Sequence, residues 1–328
     1  MTKEKKFYEY LAEKLPTWGN DEFVVEKYGV SIATIDKLLP KLKEEYLANW
    51  TKKKSFNPYI LLMTLNFLKT NPSYRTASKE FGCSKETYQK RVSNCLQAIA
   101  NCLPQIEFKD RYGTSTESLK LNLVVDTTLC PIEKPSNIEV QRQHYSEKHK
   151  TTGLKYEIGV RTDSGLACWL GDPYRGGEHD INILLDGGLL NELDKDEVIF
   201  ADKGYQGVSE EVITPIKGKI LSGESETLNL KVVDSNSIFS LINLLWNWIL
   251  RQSILSSRFP DFLEILEQIV ENFNCRFKRF GALKQQYRGA IARGEEVDYS
   301  FHKLMVEVVV KLCNFEIQNG SPLRAECI

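Results

Sequence analysis

The sequence predicts two domains, an all-α domain over residues 1–110 and an α/β domain over residues 118–318. Three observations carry this. Apolar residues recur at three- and four-residue steps through the first hundred positions, the spacing of amphipathic helices. From Leu119 the pattern changes to short β-branched apolar runs alternating with helical stretches, as in LKLNLVVDTTLCPI and EVIFADKGYQG. Between the two lies the polar stretch KDRYGTSTES, which places the boundary near residues 108–118. A length of 328 residues suits two domains.

Composition narrows the class. Hydrophobic residues make up 42% and charged residues 27%, which is globular and argues against disorder. The net charge of -1 gives no nucleic-acid signal for the molecule as a whole, so any such signal must be local. The eight Cys form no C-x-x-C pair and no zinc-finger spacing, which reads as reduced thiols of an intracellular protein. The start, MTKEKKFYEY, is charged and does not read as a signal peptide. The most apolar segment, Ser237–Leu250, has 14 residues. That is short of the roughly 20 a membrane helix needs, so a buried helix and no membrane partner are expected.

Two helix-turn-helix patterns lie in the first domain. In Phe23–Leu42, Gly29 takes the turn and Ser31 caps the next helix. In Tyr74–Leu96, Ala77 and Phe81 face inward, Gly82 turns the chain, Ser84 is the N-cap, and Glu86 sits where the helix dipole favours a carboxylate. The stretch Thr51–Cys95 holds nine basic residues against two acidic ones. The second unit is therefore expected to lay Lys85, Thr87, Tyr88, Lys90 and Arg91 along a DNA major groove. A plain helical bundle with a solvated basic face is the competing reading.

In the second domain Asp126 follows the apolar strand Leu121–Val125, and Asp202 follows Val198–Ala201. A carboxylate directly after a buried strand is costly unless it lies at a sheet edge or binds something positive. Two such residues on neighbouring strands form a hard-oxygen site suited to Mg²⁺ or Mn²⁺. KYEIGVRTDSGLACWLGDP reads as two strands around a turn at Asp163–Gly165, and HDINILLDGGLLNEL has helical spacing.

Six blocks occur in one order: VVDTTLCPIEKP, HYSEKHKTTGLKYEIGV, YRGGEHDINIL, FADKGYQG, VITPIKGK and VENFNCRFKRFGAL. Together they resemble the DDE endonuclease domain of Harbinger-like transposases and their bacterial insertion-sequence relatives, over Leu121 to Leu283. The resemblance implies a ribonuclease H-like mixed-sheet nuclease domain. It implies that Asp126, at the end of the first strand, Asp202 and Glu271 hold divalent metal ions. Asp180, beside His179, competes with Asp202 for the second place, and strand geometry favours Asp202. It further implies double-stranded DNA as substrate, at transposon ends and target, with strand cutting and joining. A homo-oligomer, a separate DNA-binding partner protein and a nuclear location in a eukaryotic source, or otherwise a cytoplasmic one, go with it.

Glu264, Glu267 and Glu271 share one helix face, so Glu271 is one of three carboxylates that could reach the metals. The following stretch, Asn272–Gly294, holds six basic residues and no acidic one, and Arg276, Lys278 and Arg279 are expected on phosphates. So are Lys148, Lys150 and Lys155 in the basic stretch Arg142–Lys155. Two departures stand out. Glu267 occupies a position where the family commonly has a basic residue. Residues 228–260 read as an insertion that lengthens the path from Asp202 to Glu271. Both leave open a transposase-derived DNA-binding protein that has lost catalysis.

Overall fold

The computed structural model describes residues 21–50, 56–112, 121–195, 197–214, 259–287 and 298–319, with backbone only for residues 21 and 259–265. The proposed insertion lies almost wholly outside these residues, and so does Ser237–Leu250. The chain divides into two compact units. One comprises Met1–Ile106, Leu129–Leu154 and Cys275–Pro322, the other Glu107–Thr128, Lys155–Asn274 and Leu323–Ile328.

The first described helices of the first unit are α1 (Asp21–Tyr28), α2 (Ile32–Asn49), α3 (Tyr59–Thr70), α4 (Tyr74–Glu80) and α5 (Lys85–Cys102). The expected turn chemistry is present. Gly29 has φ +82, and Ser31 accepts from the Thr34 amide at the start of α2. Gly82 has φ +60, and Ser84 accepts from the Thr87 amide at the start of α5. A left-handed φ is cheap for glycine alone, and each cap satisfies a helix-end donor. Helix α3 is buried from Ile60 to Leu68, and α5 packs on it as well as on α2 and α4. Each Leu or Ile so buried contributes roughly 1.5–3 kcal/mol.

The sheet follows. Its strands are β1 (Leu121–Pro131), then β2 (Tyr145–Ser146) after helix α6 (Ile138–His144), β3 (Thr151–Arg161), β4 (Ala167–Leu170) and β5 (Tyr174–Arg175). Helix α7 (Asp180–Asp186) leads to β6 (Val198–Ala201) and β7 (Val212–Ile213). Among the described residues the order is β2-β3-β1-β6-β7, with β4 and β5 on β3. Pairs β1–β6 and β6–β7 are parallel, whereas β2–β3 and β3–β4 are antiparallel. This is a mixed α/β arrangement compatible with a ribonuclease H-like nuclease domain. The expected turn lies between β3 and β4, with Gly165 at φ +69. In the second unit Leu123, Val125, Leu184, Leu189, Ile199, Ala201 and Tyr205 form one buried core.

The last described helices are α8 (Phe259–Lys278), α9 (Gly281–Lys284) and α10 (Ser300–Gln318). In the first unit α10 packs on α5, and α9 packs on α3. A Cβ on Gly29 would lie 2.5 Å from the Phe280 ring, and one on Gly281 would lie 2.5 Å from the Lys69 carbonyl oxygen. Both glycines therefore permit close approaches. The Ser31 amide donates to Glu316 at 3.2 Å, and the buried Lys311 ammonium donates to Ala100 O and Gln105 Oε1, each at 2.7 Å.

Candidate active site

The β1–β6 ladder positions the two strand-end aspartates. Val125 pairs with Ala201 in parallel register, and both are fully buried on the core side. Asp126 and Asp202 come next in the chain, the first half-buried and the second exposed. Strand β6 stops at Ala201, and Asp202 caps the short turn Lys203–Tyr205 by accepting from the Lys203 amide at 2.6 Å. Strand β1 does not stop. The expectation that Asp126 ends it is corrected, because β1 continues to Pro131. Thr127 and Thr128 favour extended backbone, and Leu129 and Cys130 bury beyond them. What ends near Asp126 is the pairing with β6.

Asp180 reaches the same neighbourhood from α7. A Cβ on Gly204 would lie 3.5 Å from Asp180 Oδ2, so Asp180 abuts the turn that Asp202 caps. Its Oδ1 accepts from Lys155 Nζ at 2.8 Å, and Nζ also donates to Glu178 O at 2.6 Å. The Tyr205 hydroxyl is buried nearby. Burial pushes its pKa well up, and the charges of Glu157, Asp126 and Asp180 push it further, with Thr127 partly offsetting them.

Glu157 is a further candidate residue, buried near Asp180, that sequence reasoning missed. It is fully buried in β3, and its Oε2 accepts from Trp169 Nε1 at 3.0 Å, while Oε1 has no partner among the described residues. Burial lifts its carboxyl to about 7, against the Trp169 hydrogen bond and with help from Asp180. The available signal was a lone Glu inside the apolar run YEIGV, on a strand buried on both faces.

Helix α8 faces Asp126 through Asn274, whose Nδ2 donates to Asp126 Oδ2 at 2.9 Å. Glu271, one turn earlier, is exposed, and Glu267 is half-buried. The side chain of Glu264 lies outside the described residues. Among the described residues no three His, Cys, Asp or Glu side chains are gathered as a metal-binding group.

The basic residues divide sharply. Lys85 and Lys90 are exposed on α5, and Arg91 is half-buried. Tyr88, expected in a groove, is instead a core residue whose hydroxyl donates to Met63 O at 3.3 Å. Its place on the stripe with Val92, Cys95, Leu96 and Ile99, all buried, explains this. Lys148 and Lys150 are exposed, Lys150 pairing with Glu147 at 2.8 Å. Lys155 is only 7% exposed and committed to Asp180. Arg276 is buried, Lys278 donates to the Leu129 and Leu283 carbonyls, and Arg279 lies 3.7 Å from buried Glu316. These four cations are occupied within the protein.

No helix among the described residues is long and apolar enough to cross a membrane. Neither a curated protein nor a solved structure matches the chain. Residues 125–260 match the family model described as DDE superfamily endonuclease. The stretch of this chain that is similar to the DDE superfamily endonucleases is thus the one that holds Asp126, Asp180 and Asp202.

Proposed function

We propose that this chain is a DDE-type transposase or endonuclease that cuts and joins DNA phosphodiester bonds with Mg²⁺ or Mn²⁺. The observation that supports the reading is the Val125–Ala201 register, which pairs the residues just before Asp126 and Asp202 within the matched stretch. The donors fit such an ion, since they are carboxylate oxygens at the end of a ladder, with Asp126 oriented by Asn274. Asp126, Asp202 and Glu271 are the residues that would hold it. A bound divalent ion supplies an activated water and stabilises the leaving oxygen of a phosphodiester. Lys155 neutralises Asp180, which lowers the repulsion around the neighbouring acids and leaves Asp202 the freer of the two rivals.

DNA binding is assigned to the helix-turn-helix α4–α5, with Lys85, Lys90 and Arg91 on phosphates or base edges. Lys148 and Lys150 are further phosphate contacts. A nuclear location in a eukaryotic source belongs to the same reading.

The experiment is strand cleavage of supercoiled plasmid with Mg²⁺ or Mn²⁺, comparing wild type with Asp126→Ala, Asp202→Ala and Glu271→Ala. Cleavage by wild type, lost in the variants, is expected. Equal behaviour of all four sinks the reading. A second reading, a transposase-derived DNA-binding protein without catalysis, is favoured by the exposed position of Glu271. Its signature is DNA binding by all four proteins and cleavage by none.

A further inference from the structure

We propose that Asn274 is the residue by which α8 positions Asp126 for metal binding, a role that deepens the nuclease reading and rests on it. The chemistry of the contact is directional. A carboxylate only accepts, so the Asn274 amide nitrogen must face Asp126, as it does at 2.9 Å. This bond holds Oδ2 of Asp126 toward α8. The Asn274 Oδ1 is then turned the other way. It is buried and has no partner among the described residues. A buried carbonyl oxygen without a donor is costly, so what holds the amide in this orientation is its bond to Asp126 and not its own oxygen.

Glu271 and Asn274 are three residues apart, so they share a helix face one turn apart. Of the two, Asn274 makes the contact. The geometry therefore divides the work on this face. Glu271 is the charged group at the exposed end, and Asn274 orients Asp126. Partners of this kind around metal ligands change metal affinity by about 10- to 100-fold when removed.

The test is calorimetric titration of the full-length protein with Mn²⁺ alone, without DNA, alongside thermal unfolding of each metal-free variant. Asn274→Ala should weaken Mn²⁺ binding about 10-fold or more while folding is retained. Asn274→Asp replaces the donor with a second carboxylate against Asp126. Its unfolding midpoint should fall without metal, and Mn²⁺ should raise it by more than in wild type, a response that a purely structural asparagine does not give. This second variant decides the matter if Asn274→Ala fails to fold. Wild-type Mn²⁺ affinity in Asn274→Ala, with binding lost in Asp126→Ala, overturns the role of Asn274 and leaves the nuclease reading standing. So does a wild-type Mn²⁺ response in Asn274→Asp. A wild-type protein that binds no Mn²⁺ overturns both.

Discussion

The ammonium of Lys155, buried in β3, lies 2.8 Å from the carboxylate of Asp180 at the first turn of α7. A cation read from sequence as a phosphate contact is thus a structural counter-ion. Lys155→Ala should lower unfolding stability by about 3 kcal/mol, because it leaves Asp180 enclosed without its charge partner. Urea denaturation measures the loss. The salt dependence of DNA binding should stay unchanged, and a shallower slope would return Lys155 to the DNA interface.

Glu157 predicts a pH effect of defined sign. Its folded pKa of about 7 lies above the unfolded value, so the folded state holds the proton more tightly. The associated stability is fully present below the unfolded pKa and is lost as pH rises through 7. The loss is roughly 2–4 kcal/mol. Glu157→Gln should flatten the stability profile between pH 5 and about 8 in chemical denaturation. A profile identical to wild type would show that another group titrates there.

Gly29 should tolerate no side chain. Its φ of +82 penalises any L-residue, and a Cβ would press into the Phe280 ring. Gly29→Ala should cost about 2–4 kcal/mol from backbone strain and overpacking together. Gly29→Ala with Phe280→Leu should recover part of the loss, and thermal unfolding of both reads this out.

The proposed DNA contact of α5 makes a salt prediction. Replacing Lys85, Lys90 and Arg91 by Ala should weaken binding and flatten log K against log salt by about 0.9 for each phosphate contact removed. Fluorescence anisotropy over a salt series measures it. An unchanged slope would reduce α5 to a helix of the bundle with a solvated face.

What was legible in the sequence was local. The Gly29–Ser31 and Gly82–Ser84 turns, the 163–165 turn and the strand running into Asp202 follow from residues within a few positions of each other. Long-range partners were not legible. Nothing in ENFNCRFKRF tells that Asn274 turns to Asp126 while Lys278 is spent on the Leu129 carbonyl. A basic run looks the same whether its charges meet phosphate or carbonyl oxygens. Helix α6 and the continuation of β1 past Asp126 were missed for the same reason, since short elements are fixed by what they pack against. Asp202 follows its strand as read and Asp126 lies inside a longer one, but what pairs with each depends on packing that periodicity does not encode.

The bond from the Ser31 amide to Glu316 spans 285 residues of chain. With Gly29 seated on Phe280 and Lys311 held by Ala100, it gives the first unit a timing problem during synthesis. Helices α1–α5 leave the ribosome well before α9 and α10, and the apolar surfaces they prepare wait until those later helices have been translated. The nascent helices must stay protected through that interval. Ribosome-bound intermediates truncated before residue 275 should therefore engage chaperones, and release of the α10 segment should be the event that ends the engagement.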